Sequence, residues 1–248
     1  MLNWVRRQKD RIICARWNIG IADLTDDLNL QNACYLSGVG DFRDHWFADP
    51  FPVEETEDFF VILCEEMVCK SSKGRIVRLL VRKEDFSLEK CEVLLENETH
   101  LSFPHPLRIE SETYICPENG QSGKQGIWRY GKQLTNCGVM LNASVFDPVV
   151  FYKEGFWWLL ATTGNHKNGN KLDVYRSDQP LSGYMFFKHI DFDDNIARRA
   201  GGVFLWNGRM VSPAQICNTR YGEGLKLPRT ERIIPESYRK TVGHPLTS

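Results

Sequence analysis

A two-strand unit recurs four times along this chain, and that recurrence constrains the fold more than any local propensity does. The copies read ADPFPVEETEDFFVILCEE from position 48, SFPHPLRIESETYICPENG from 102, VFDPVVFYKEGFWWLLATTG from 145 and RAGGVFLWNGRMVSPAQ from 199. Each joins a β-rich run to a polar turn and a second run of aromatic or β-branched residues. With Asp49, Phe103, Asp147 and Ala200 taken as equivalent, successive copies are offset by 54, 44 and 53 residues. The first three copies are followed by GRIVRLLVRKEDFSLEKCEVLL, GIWRYGKQLTNCGVML and KLDVYRSDQPLSGYMFFKHI. Each of these reads as a third strand, a turn and a fourth strand.

Four antiparallel strands per unit, at a period of about 40 to 50 residues, predict an all-β fold, a five-bladed β-propeller. The blades fall at about 46–96, 101–142, 145–190 and 198–235 of a single domain covering 1–248. A fifth is expected from 1–30 together with 240–248. There RIICARWNIGIADL supplies outer strands and the VGHPLTS tail an inner one. Closing the ring in this way removes exposed strand edges. A chain that stops inside its fifth blade, and a β-sandwich with coincidental spacing, are the competing architectures.

Composition narrows the partners. Apolar residues make up 42% of the 248 and aromatics 12%, enough for a sizeable core. Against 32 acidic residues stand 31 basic ones, so no basic surface for nucleic acid is expected. No run approaches the ~18 apolar residues of a membrane span. MLNWVRRQKDRIIC lacks the apolar core of a signal peptide, and the eight cysteines form no CxxC. Scattered through apolar runs, they are expected to be buried free thiols of a cytoplasmic protein.

The repeat also gathers chemistry. The inner strand of a blade begins, and its neighbour ends, at the same rim. Asp49 should therefore approach Glu65 and Glu66, His105 should approach Glu118, Asp147 should approach Thr162 and Thr163, and Arg199 should approach Gln215. Carboxylates, amides and a guanidinium converging from several blades suit a ligand with many hydroxyls, and Trp46 and Phe103 offer faces for the sugar ring. The expected binding set is thus Trp46, Glu65, His105, Thr163, Arg199 and Gln215. Each of these residues taken alone is equally a strand-end cap. Arg199 adds an anionic option, a sugar phosphate or nucleotide-sugar, unless it pairs with Asp191, Asp193 or Asp194. No cofactor is expected. A divalent ion held by His105, Asp49, Glu118 and Asp147 is the less favoured alternative. GNHKNGNK, at 164–171, reads as a rim loop, and no P-loop, GxSxG or HExxH is present.

The ordered series FADPF, LSFPHPL with YICPE, FDPVVFYKEGFWWLLATT, LDVYRSDQPL and RRAGGVFLWNGRMVSPAQICNTRYG resembles the five-bladed propellers of glycoside hydrolase families 43 and 32. It is more closely similar to the N-terminal propeller domain of plant glucosamine inositolphosphorylceramide transferases and their bacterial relatives. The resemblance implies a catalytic set of Asp49, Glu118 and Asp147. Asp49 would be the base or nucleophile of a hydrolase, and Asp147 would orient substrate. The family's acid is a glutamate on the inner strand of the fourth blade, where this chain has ARRAGGVF. Hydrolysis needs a proton donor opposite a second carboxylate, so a hydrolase would need a displaced acid such as Glu118 or, more remotely, Glu223. The favoured expectation is a propeller that recognises or processes carbohydrate in glycan, lipopolysaccharide or glycolipid biosynthesis. Its partners would be a glycan, sugar phosphate or nucleotide-sugar, and a glycosyl- or formyltransferase domain of a longer chain. A hydrolase and a non-catalytic scaffold are the alternatives.

Overall fold

The computed structural model describes residues 16–27, 29–40, 43–164, 168–228 and 230. Its elements are almost all strands. The first complete sheet comprises β3 (His45–Glu55), β4 (Phe59–Val68), β5 (Lys73–Arg82) and β6 (Leu88–Leu95). A second comprises β7 (Ser102–Ile109), β8 (Glu112–Glu118), β9 (Gln125–Arg129) and β10 (Thr135–Leu141). The third comprises β11 (Val145–Lys153), β12 (Phe156–Thr163), β13 (Lys171–Ser177) and β14 (Met185–Asp191). In each sheet the strands lie in sequence order, joined by antiparallel ladders. The first strands neighbour one another: β7 touches β3 on one side and β11 on the other. These are blades of a β-propeller set around a common axis.

Burial follows from that stacking. β12 is buried almost continuously from Trp158 to Thr162, because adjacent blades cover both of its faces. The outermost strands β6 and β14 keep a single partner strand and are largely exposed, so their sequences are mixed. Successive blades trap separate apolar layers. Leu63 and Ile76 meet Leu101 and Ile115 between the first two, and Leu107 and Ile127 meet Val150 and Leu159 between the second and third. Trp158 and Val174 meet Ala197 at the next interface. Each large side chain buried in this way stabilises the fold by about 1.5–3 kcal/mol.

The fourth unit is interrupted. Arg199 bridges Ala214, and the hairpin of β15 (Phe204–Trp206) and β16 (Arg209–Val211) extends the same pairing outward. β17 (Ala214–Ile216) then pairs with β18 (Gly224–Lys226). A further hairpin, β1 (Gly20–Leu24) with β2 (Leu30–Tyr35), lies between this unit and the first blade. The Trp206 indole donates to the Asp26 carbonyl, while Ile19 and Leu36 pack into the first blade's core with Phe47 and Val77. The expected closing strands at 1–15 and 240–248 lie outside the described residues. The described cysteines are free thiols. Cys64, Cys116 and Cys217 are buried as expected, whereas Cys34, Cys91 and Cys137 are exposed because they sit on outer strands.

One backbone device is common to the three complete blades. The inner strand is bulged just after Ala48, Ser102 and Phe146, and the residues that follow, Asp49, Phe103 and Asp147, have φ of 52°, 44° and 48°. Proline comes next each time, a residue with no N–H to leave unpaired at a bulge. Bulges re-aim side chains. Aspartate tolerates the left-handed region, but phenylalanine there is unusual and must be held by its surroundings. Phe103 is 1% exposed and meets the Phe51 ring edge-on at 5.0 Å. With Val149 and Val203 these two rings form an apolar floor contributed by four successive units.

Candidate functional site

Above that floor opens a cavity of about 550 Å³. The first blade contributes Trp46, Asp49, Phe51 and Glu65, and the second contributes Phe103 and Glu118, with His100 just before it. Arg198, Gln215 and Tyr221 come from the fourth unit, and Trp17 from the segment before β1. Register explains the acid wall. Ala48 pairs with Glu65 and Ser102 with Glu118, so each return strand carries a glutamate beside the bulge. The equivalent positions in the third and fourth units are Thr162 and Ala214, and the acids stop there.

The carboxyl groups are knitted across blades by backbone amides. The Phe103 N–H donates to Asp49 Oδ2 (3.2 Å), and the Asp147 N–H donates to Glu118 Oε2 (2.8 Å). Asp147 is 1% exposed and receives both Nε and Nη2 of Arg198, the latter at 2.9 Å. The Gln215 amide donates to the same aspartate at 3.3 Å. Arg198 also donates to Asn168 and lies between the rings of Phe146 and Tyr221. Glu65 is 5% exposed. Its Oε1 has no hydrogen-bond partner, although His100 Nε2 stands 3.4 Å away without hydrogen-bond geometry.

Burial sets the protonation. Desolvation, reinforced by the Asp147 charge, pushes Asp49 up to about 7 despite the opposing Arg198 charge and Phe103 amide. Its surface opens in part to the cavity, so water reaches it and moderates that push. Glu118 is raised to about 8, again chiefly by burial and then by Asp147. Burial followed by the charges of Asp49, Glu118 and Asp147 holds Glu65 well above the usual carboxylate range. These acids interact, so their protons belong to the cluster rather than to single residues.

Of the residues expected at the rim, Trp46, Asp49, Glu65, Glu118 and Gln215 line the cavity, and Asp147 stands directly behind Arg198. Three lie elsewhere. His105 is buried beneath the floor, with Nε2 on the Val150 carbonyl, and desolvation lowers it to about 4. Thr163 gives its hydroxyl to Asp173 at 2.6 Å, away from the cavity. Arg199 is fully buried, bonded to the carbonyls of Ala197 and Ile196 and to Ser212, rather than to Asp191, Asp193 or Asp194. Its neighbour Arg198 takes the site instead. A shift of one residue along a strand moves the side chain to the opposite face, and RRAGG offers two arginines with nothing local to choose between them. Glu66 also turns away, to His45 and Arg75. His100, Tyr221 and Trp17 lay outside the repeat-based prediction. Only Tyr221 carried a signal, as part of the ordered motif ending in NTRYG. Among the described residues no three His, Cys, Asp or Glu side chains are placed to hold a metal ion, and His105 has left the set proposed for one.

The fold has close counterparts. A family-43 β-1,3-galactosidase in complex with galactodeoxynojirimycin superposes with a TM-score of 0.60 at 10% identity, over 83% of this chain and 79% of that one. A family-43 β-xylosidase/α-arabinofuranosidase from a compost microbial metagenome gives 0.58 at 10% identity, over 80% and 76%. At such identities the likeness is one of fold. In sequence, the chain is 25% identical over 218 residues to glucosamine inositolphosphorylceramide transferase 1 of Oryza sativa subsp. japonica, covering 84% of this chain and 29% of that protein. The Arabidopsis thaliana protein of the same name is 26% identical over 207 residues, covering 79% and 27%. The chain thus spans less than a third of the length of these relatives. Residues 30–247 match the family described as glucosamine inositolphosphorylceramide transferase 1, N-terminal, and the chain belongs to that family.

Proposed function

We propose that the chain is a carbohydrate-recognising propeller serving glycan or glycolipid biosynthesis, and that the cavity above the Phe51–Phe103 floor holds the sugar. The observation that carries this reading is the wall of acids, the half-buried Asp49 and the buried Glu65 and Glu118, facing a space of about 550 Å³ edged by Trp46 and Tyr221. Carboxyl groups at the edge of ionisation both accept from and donate to hydroxyls, and aromatic edges cover the apolar face of a sugar ring. Family membership and the carbohydrate-active neighbours support the same reading. A transferase domain in a longer chain is the partner that the relatives' greater length suggests.

A glycan array followed by titration calorimetry tests this. The wild-type chain should bind at least one sugar class. Trp46→Ala, which removes the ring at the rim, should weaken that binding about tenfold, as loss of an aromatic anchor does. Failure of the wild type to bind any glycan would overturn the reading.

Hydrolysis has one observation in its favour, the proton retained by Glu118 near neutral pH. Against it, the fourth unit presents Arg198 and Gln215 where the resemblance calls for an acid, and Asp49 and Glu118 are each bound to the next blade's backbone. Turnover of aryl glycosides that disappears in Glu118→Gln would establish that alternative.

A further inference from the structure

The proposed sugar site has two ends of different chemistry. One end, formed by the first two blades, carries Asp49, Glu118 and the Phe51–Phe103 floor. The other is built by Trp17, from the segment before β1, and Tyr221, from the loop between β17 and β18. Tyr221 stands at the junction. Its ring covers the Arg198 guanidinium at 5.5 Å, and that guanidinium holds Asp147 on its far side. Beyond it, Trp17 meets the Tyr221 ring edge-on, with centroids 6.3 Å apart and planes at 88°. Both rings line the cavity and yet stay open, Trp17 36% exposed and Tyr221 48%. The chain makes room for the indole at Gly222. That residue has φ of 65°, and a Cβ on it would stand 2.7 Å from Trp17 Cη2. A left-handed backbone and so close an approach both call for glycine. Other groups at this end are already engaged. Asn18 Oδ1 accepts the Ile19 N–H, and Asn18 Nδ2 donates to the Leu36 carbonyl. Arg198, the only guanidinium or ammonium lining the cavity among the described residues, is held by Asp147. What remains on offer is aromatic surface, which binds the apolar face of another ring. We propose that Trp17 and Tyr221 form a second sugar subsite, so that the cavity takes the terminal two units of a glycan rather than a single sugar.

The inference rests on the sugar reading and sets the length of the sugar. A volume of about 550 Å³ falls among pockets of ~300–1,000 Å³, which enclose drug-sized ligands and leave room beyond one pyranose ring. A nucleotide-sugar would also bring a flat ring to Trp17. Its diphosphate, however, asks for a free cation, and Arg198 is spent on Asp147. The two ends divide the task. Acids accept from and donate to particular hydroxyls, so they choose the terminal sugar. Ring faces read no particular hydroxyl, so they reward any second unit that presents an apolar face.

The test uses the whole chain and titration calorimetry. Methyl glycosides of one, two and three units are titrated, beginning with β-1,4-linked glucose and β-1,3-linked galactose. The series extends to each sugar class that binds on the glycan array. The disaccharide should bind at least about tenfold tighter than the monosaccharide, on the scale of one aromatic anchor. A third unit should add less than about twofold, since only two subsites line the cavity. Trp17→Ala should bring the disaccharide advantage below about threefold, and Trp17→Phe should keep more of it than alanine does. If the alanine variant does not fold, the phenylalanine variant assigns the Trp17 indole N–H signal by its loss from NMR spectra. In the wild type that signal should shift with the disaccharide and stay in place with the monosaccharide. Equal binding of one and two units, or an advantage unchanged by Trp17→Ala, overturns the second subsite and leaves the sugar reading standing. An octyl glycoside that gains as much as the disaccharide does the same, because the rings then take any apolar tail. Absence of binding by every glycan overturns both.

Discussion

Asp49 and Asp147 occupy the same position in the first and third blades, yet their surroundings make them different acids. Both follow a bulge, both have φ near 50°, and both precede proline. Asp147 receives a bidentate guanidinium and the Gln215 amide. Asp49 receives one backbone N–H and is raised to about 7. The repeat therefore fixes where a carboxyl group stands, while the blade next door decides what it does. Asp147 is clamped by the fourth unit and organises the cavity wall. Asp49 faces the second blade, which returns another acid rather than a base.

The comparison is broken most severely by removing the clamp. Arg198→Met keeps length and apolar contact but leaves Asp147 buried and unpaired, which typically costs about 3–5 kcal/mol. Urea unfolding at pH 7.5 should register a loss of that size. Arg198→Met combined with Asp147→Asn should recover more than half of it, because the two residues form one unit and their effects do not add. A single-variant loss below about 1 kcal/mol would show that the ion pair does not separate the two aspartates.

A smaller effect is expected from crowding the acid wall on the Asp49 side. Gly74 lies where a Cβ would collide with Glu65 Oε1 and the Leu101 carbonyl oxygen, and would come within 2.8 Å of His100 Cε1. The missing side chain is what lets Glu65 and His100 share that corner. Gly74→Ala should cost about 1–3 kcal/mol, as overpacking of a filled site does. It should also disturb the His100 imidazole resonances in NMR spectra while leaving Arg198 and Asp147 unaffected. An unchanged unfolding midpoint and unchanged His100 signals would show that Glu65 yields without strain.

The Asp49–Asp147 equivalence was legible in the chain because a repeat is a long-range signal carried by local letters. Both the Asp-Pro pairs and the strand–turn–strand rhythm survive in the residues themselves. Phe103 held the same position, and Phe-Pro was as informative there as Asp-Pro elsewhere, although its ring belongs to the floor rather than to a sugar platform. Side-chain direction near a bulge was not legible. In the fourth unit Arg199 was expected where Arg198 stands, because neighbouring residues face opposite ways. Beside a bulge, two residues oppose one on the partner strand, so alternation breaks. His105 was misplaced for the same reason, since it lies just past the bulge at Phe103. Tyr221 and Trp17 come from segments without a repeat partner, and their arrival at the cavity depends on packing between units.

The finest separation of the two aspartates is in how stability depends on pH. Asp49 binds its proton near pH 7 when folded, against an ordinary value of 3.8. Between about pH 4 and 7 the native state thus holds more protons at this site than the unfolded chain. Stability then falls as pH rises, and the penalty is complete above about 7. Asp49→Asn removes that contribution and keeps an oxygen to accept the Phe103 N–H. With the cavity's water tempering the shift, the variant should lose about 1–2 kcal/mol less than wild type between pH 5 and 8 in urea unfolding. The slope that remains belongs to Glu65 and Glu118. Asp147→Asn should act in the opposite direction at pH 8, destabilising the chain by stranding Arg198. If Asp49→Asn keeps the wild-type slope, the first blade's aspartate is as well compensated as the third's, and the contrast between them rests on geometry rather than charge.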